Sequence, residues 1–151
     1  MDRADQKILT VLQENSGISN AELAVRIGLS PSPCLRRVKA LEDAGVIEGY
    51  AARLSRQTLG LHVLAFIEVQ LDHGVTDSFI AAVKKMPEIV ACYLMTGTLD
   101  FLLQVVAADL TAYGEFLTNR MLKLPGVKDV RSSFVLKELK RPGALPLTHL
   151  P

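Results

Sequence analysis

Cysteine is scarce, long uncharged runs are missing, and the charges almost cancel. Cys34 and Cys92 are the two cysteines, they stand in different halves of the 151 residues, and neither has partners at a metal-binding or redox spacing. A disulfide framework and a cysteine metal centre are therefore excluded, and both thiols are expected to be reduced and structural. His62, His73 and His149 are isolated, without a His-x-x-His or HExxH pattern or a legible nucleophile–base pair. No enzyme activity, metal or cofactor is expected. No 18-residue stretch is free of charge, and no basic start is followed by an apolar run. Neither a membrane span nor a secretion signal is supported, and a cytoplasmic protein is expected. With 17 basic and 16 acidic side chains the formal net charge is +1. Residues 1–60 hold 8 basic and 7 acidic groups and residues 61–151 hold 9 of each, so an anionic partner would have to be met by local placement rather than bulk charge. A small charged footprint per subunit implies several subunits acting together.

One absence is local and points to function. From Leu23 to Leu41 there is no Asp or Glu, while Arg26, Arg36, Arg37 and Lys39 all lie inside the window. Phosphates repel carboxylates and attract such a patch. In the same window an amphipathic segment stops at Gly28 and a second begins behind Ser30 and Pro31, a cap followed by a proline near the first helical position. Two short helices joined by a sharp turn are the helix-turn-helix arrangement. At about 100° per residue, Leu35, Val38 and Leu41 fall on one side of the second helix, with Ser32 and Arg36 nearly opposite and Arg37 flanking. The bland alternative is an ordinary helical hairpin with a solvated basic face; the acid-free window, the cap and the small Ala24 where two helices would cross favour double-stranded DNA as partner.

Around this core the chain reads in order. Asp2 or Asp5 caps a first helix carrying Ile8, Leu9, Val11 and Leu12, which ends near Asn15-Ser16-Gly17. Val46 to Leu54 reads as one or two short strands, a wing that brings Tyr50 or Arg53 near the DNA backbone, and Ser55 to His62 as a hinge. Strands are expected over Val63–Leu71, Ile89–Met95, Phe101–Ala107 and Val127–Leu136, with helices over Thr76–Lys85 and Leu110–Leu122. The order β-α-β-β-α-β is the ferredoxin-like split unit. With 49% hydrophobic residues there is material for two small cores. Val63 to Leu71 is apolar on both faces, so the sheet face without helices requires a cover, and self-association is the obvious one.

The opening DRADQKILTVLQENSGISNAELAVRIGLSPSPCLRRVKALEDAGVI, with GTLDF and PGVKDVRSSFVLKELK, resembles the Lrp/AsnC family of amino-acid-responsive bacterial regulators, over Asp2 to about Pro146. The resemblance implies an α+β protein: a winged helix-turn-helix over 1–52, a hinge over 53–62, a ligand-sensing RAM domain over 63–138 and a tail over 139–151. It implies homodimers that assemble further, often to octamers, and an amino acid effector. Carried over, the DNA contacts fall on Ser30, Ser32, Pro33, Arg36 and Arg37. Arg suits guanine, whose O6 and N7 its planar fork meets together; Ser30 and Ser32 at the helix start suit phosphate. The effector positions fall on Thr96, Gly97, Thr98 and Asp100, with Leu122, Ser132, Ser133 and Phe134. A glycine admits backbone amides to a carboxylate and Asp100 faces an ammonium, although Gly-x-x-Asp also merely turns a hairpin, and Leu122 and Phe134 are by default core or interface residues. The tail with Ala144-Leu145-Pro146-Leu147 resembles members that answer to branched or sulfur-containing amino acids, so leucine or methionine is the expected effector. The alternatives are an effector-independent DNA-architectural protein and an enzyme similar to the siroheme decarboxylases.

Overall fold

The structure, a computed structural model, describes residues 1–150 and separates into two compact units. Residues 1–53 form one together with the chain from Lys140 onward, and residues 54–139 form the other.

The first unit holds three helices whose ends are written locally. Helix α1 (Arg3–Glu14) starts in a capping box: Asp2 accepts the amides of Ala4 and Asp5, and the Asp5 carboxylate accepts that of Asp2. Helix α2 (Asn20–Ile27) repeats the device with Ser19 and Glu22. It closes at Gly28, whose φ of 75° brings the Leu29 amide to the Ala24 carbonyl at 2.9 Å. Helix α3 (Pro31–Asp43) then begins with Ser30 at the cap position and Pro31 in the first turn. Contrary to the capping role expected of it, the Ser30 side chain makes no cap hydrogen bond; the fixed φ of Pro31 and its missing N–H relieve that need.

Ile8, Leu9, Leu23, Ala24, Ile27, Cys34 and Leu41 form the core of this unit. Its centre on α3 differs from the expected Leu35 side. Cys34 is fully buried and Leu35 is 57% exposed. Cys34 and Leu41 lie two turns apart on one line, and a residue about 100° round from Cys34 passes over the edge of the buried face. Burial pushes the Cys34 thiol pKa up, keeping it protonated and inert.

The expected wing strands are absent. Residues 46–54 form no ladder, and a strand requires a partner for its backbone groups. Tyr50 and Arg53 are also engaged within the unit: the Tyr50 hydroxyl donates to Glu42 at 2.8 Å, and the Arg53 guanidinium donates to the Pro142 carbonyl. The C-terminal tail docks here as well. The Gln13 amide brackets one residue, donating to the Leu145 carbonyl and accepting the Leu145 amide, and Leu147 packs on the core. Leu147→Ala is accordingly expected to lower the stability of this unit by about 1–2 kcal/mol, below the range for a fully buried leucine, as read in urea unfolding.

The second unit is a four-stranded antiparallel sheet with β1 (Val63–Leu71), β2 (Ile89–Leu94), β3 (Phe101–Ala107) and β4 (Val127–Phe134) in the spatial order β2-β3-β1-β4. Helix α4 (Thr76–Val83) and helix α5 (Leu110–Asn119), which runs into a 3₁₀ turn at Met121–Lys123, follow β1 and β3. Ala65, Ile67 and Val69 of β1 and Leu103 and Val105 of β3 pack with Phe79, Val83, Tyr113 and Phe116 of the helices. Both helices thus share one face, as the β-α-β-β-α-β reading requires. The alternate residues Phe66, Glu68, Gln70, Leu102 and Gln104 occupy the other face and remain partly exposed.

Candidate nucleic-acid interface and effector loop

Helix α3 presents Ser32, Arg36 and Lys39 outward, all exposed, while its other side is sealed in the core by Cys34 and Leu41. Ser30 is exposed at its start and Pro33 is half-buried in the first turn. Arg37 stands apart from these. Its guanidinium donates to Asp2 and Asp5, each at 2.8 Å, and so clamps α3 to the start of α1. Hydrogen bonds donated to Asp5 and then to Asp2 raise the Arg37 pKa, and the Asp2 pKa is lowered, first by the hydrogen bond it accepts from the Asp5 amide. Of the two arginines, only Arg36 is without such a clamp. The acid-free window is visible in the sequence; the carboxylates that take up Arg37 lie outside it, at the other end of the unit's chain. Asn20 is a residue that the sequence does not single out. Its amide donates to the Pro31 carbonyl at 2.9 Å, fixing the start of α3 against α2, and no local pattern announces such a long-range bond.

The second constellation is the loop joining β2 to β3. Met95 and Asp100 close it, the Met95 amide reaching the Asp100 carbonyl at 2.8 Å. Gly97 has a φ of 115°, a conformation L side chains rarely adopt, with open space where a Cβ would stand. Conformation rather than crowding therefore demands glycine here. The Thr98 carbonyl accepts from the Gln70 side chain. One Asp100 carboxylate oxygen accepts the Leu71 amide at 2.7 Å, anchoring the loop to the end of β1; the other has no partner among the described residues. Thr96, Thr98 and Asp100 are exposed. Beside them lies a small polar cleft of about 230 Å³ lined by Glu68, Val69, Gln70, Thr98, Asp129 and Arg131. It offers charge of both signs, while the Val69 side chain is buried on the helix side of the sheet.

The remaining positions expected to meet an effector are elsewhere. Ser132, Ser133 and Phe134 pair with Ile67, Phe66 and Ala65, whereas the loop lies level with Val69 and Gln70. That offset is about 10 Å along the strands and a similar distance across two strand spacings. Ser132 and Ser133 also face opposite sides of the sheet, as neighbours on a strand must. Ser132 is hydrogen-bonded to the Tyr113 hydroxyl on the helix side, where the Tyr113 and Phe134 rings meet edge-on with centroids 4.9 Å apart. Leu122 is half-exposed on the 3₁₀ turn beside buried Met121. One chain does not gather these residues around one small molecule.

Residues 64–145 match a family model described as the Lrp/AsnC ligand binding domain, and residues 1–48 match a winged helix-turn-helix DNA-binding model. The leucine-responsive regulatory protein of Salmonella typhimurium is 44% identical over 148 residues, covering 96% of this chain and 90% of that protein. The protein of the same name from Escherichia coli K12 is 43% identical with the same coverage. A transcriptional regulator from Neisseria meningitidis, solved as a complex with L-Met, is 47% identical and superposes with a TM-score of 0.97, covering 100% of this chain and 99% of that one. An AsnC family regulator from Agrobacterium tumefaciens is 36% identical with a TM-score of 0.93, and each chain is covered in full.

Proposed function

The chain belongs to the Lrp/AsnC family of transcriptional regulators, with a DNA-binding helix-turn-helix and an amino-acid-binding domain, and from that premise we propose that it answers to methionine or leucine. Its relatives are regulators, not enzymes. The observation that carries the effector is the likeness, across the full chain, to the meningococcal regulator in complex with L-Met. The loop chemistry agrees. The free oxygen of Asp100 suits the ammonium of an amino acid, and the backbone around Gly97 admits its carboxylate.

A pocket for the whole molecule is completed by another subunit. The cleft beside Thr98 is small and lined mostly by polar and charged residues, a poor fit for a methionine or leucine side chain, and Leu122, Ser132, Ser133 and Phe134 lie too far from the loop to supply an apolar wall from the same chain. The helix-free face of the sheet, with Phe66 and Leu102 partly exposed, supplies a self-complementary surface for a dimer. Further assembly, up to an octamer, brings loop and β4 positions of different subunits together. Among the described residues no helix is long and apolar enough to cross a membrane, and a regulator of this family works beside the chromosome, in the cytoplasm. DNA is held by Ser30, Ser32 and Pro33 at the start of α3 and read by Arg36, while Arg37 positions the helix.

A ligand that binds only the folded state raises its melting temperature by mass action. In a thermal-shift screen of the twenty amino acids, methionine or leucine is expected to give the largest rise; a screen in which neither stands above the rest overturns the effector assignment. Light scattering at micromolar concentration is expected to show a dimer or a larger closed assembly, and a monomer would contradict the shared pocket.

A further inference from the structure

We propose that Leu35 reads a thymine. The proposal rests on α3 being the helix that enters the major groove, and it adds an apolar contact to the polar ones assigned above. A single exposed leucine is ordinary on a protein surface, and Val25 on α2 is more exposed still, at 80%. What distinguishes Leu35 is its place. It stands in the N-terminal half of α3, one residue before Arg36, one turn after Ser32 and one turn before Lys39, and all three of those are exposed. The N-terminal residues of a recognition helix are the ones that reach base edges. The carboxylates nearest along α3, Glu42 and Asp43, lie at its other end, and Glu42 is bonded to Tyr50.

The core does not require Leu35. Cys34 and Leu41 fill the buried side of α3, and Leu35, at 57% exposure, adds little to it. In water this apolar side chain gains nothing from its position. In the major groove it meets one alkyl group, the C5-methyl of thymine; cytosine presents only a C5–H there, and the groups that mark the other bases are donors and acceptors. Burying a methyl against Leu35 favours thymine by the hydrophobic effect alone. Arg36 next to it is suited to guanine, so the two residues together favour neighbouring thymine and guanine in each half-site.

Deoxyuridine lacks only that methyl and isolates the contact. The duplex to use is one that this protein itself selects from a random-sequence pool, with each thymine replaced singly by deoxyuridine. For the wild type, one thymine per half-site is expected to matter, its replacement weakening binding roughly fourfold, the value of one buried methyl group. Leu35→Ala is expected to melt like the wild type and to bind the thymine and deoxyuridine duplexes equally. Should that variant not fold, Leu35→Gln gives the same reading. A Leu35→Ala protein with the wild-type preference for thymine, or a wild type indifferent to every replacement, overturns the proposal. A pool from which the wild type enriches no sequence overturns it too, and with it the recognition-helix reading on which it stands.

Discussion

Asp100→Ala is expected to abolish the rise in melting temperature that methionine or leucine produces, and the loss should come from the missing charge rather than from a broken loop. In the free chain one Asp100 oxygen holds the Leu71 amide at 2.7 Å while the other is unengaged. The alanine variant removes both functions and should also cost the second unit about 1 kcal/mol for the lost hydrogen bond. Asp100→Asn separates them. It keeps an oxygen for Leu71 and removes the negative charge, so stability should return while the bound ammonium still lacks its partner. A charge-assisted bond of this kind contributes about 1.5–3 kcal/mol, roughly a 10- to 150-fold change in affinity. Isothermal calorimetry of the asparagine variant decides the matter: wild-type affinity would show that Asp100 serves only to turn the hairpin.

The two adjacent arginines of α3 are expected to fail in opposite ways. Arg36 is exposed and unclamped, so Arg36→Ala should weaken a specific DNA site by about 1–3 kcal/mol and leave the unfolding curve unchanged. Arg37 ties α3 to Asp2 and Asp5 of the first capping box, and Asp5 is the less exposed of the two carboxylates. Arg37→Ala should therefore lower stability, modestly for a clamp still partly open to solvent. Gel-shift titration beside denaturant unfolding of both variants checks the pair. Equal loss of DNA affinity in the two, with no change in either unfolding curve, would return Arg37 to the DNA-contacting face.

Much of the molecule is legible in its sequence because it is written in short range. The cap at Asp2, the glycine and proline stops, the apolar run of β1 and the β-α-β-β-α-β order each depend on residues within a few positions of one another. The sheet order follows from the element order once both helices must cover one face. The acid-free window from Leu23 to Leu41 and the Gly97–Asp100 loop are visible for the same reason: each is a local pattern.

Other features depend on residues far apart in the chain. Leu35 and Cys34 exchange roles because the buried direction of α3 is set by where α1 and α2 pack, and a few tens of degrees decide which of two neighbours is sealed. Arg37 is indistinguishable from Arg36 until the fold brings Asp2 and Asp5 beside it. Residues 46–54 have strand-like composition, but a ladder needs a partner and none is placed there. The tail, legible in its sequence only as a family signature, seats Leu147 on the core of the first unit and pairs Leu145 with Gln13. Thus the sequence alone determined the helices, the four strands of the second unit, their order and the family, because these rest on local periodicity and stop signals. Tertiary structure decided which of the exposed cations are unclamped and that Ser132, Ser133 and Phe134 stand apart from the Gly97–Asp100 loop, because packing direction and long-range pairing have no local signature.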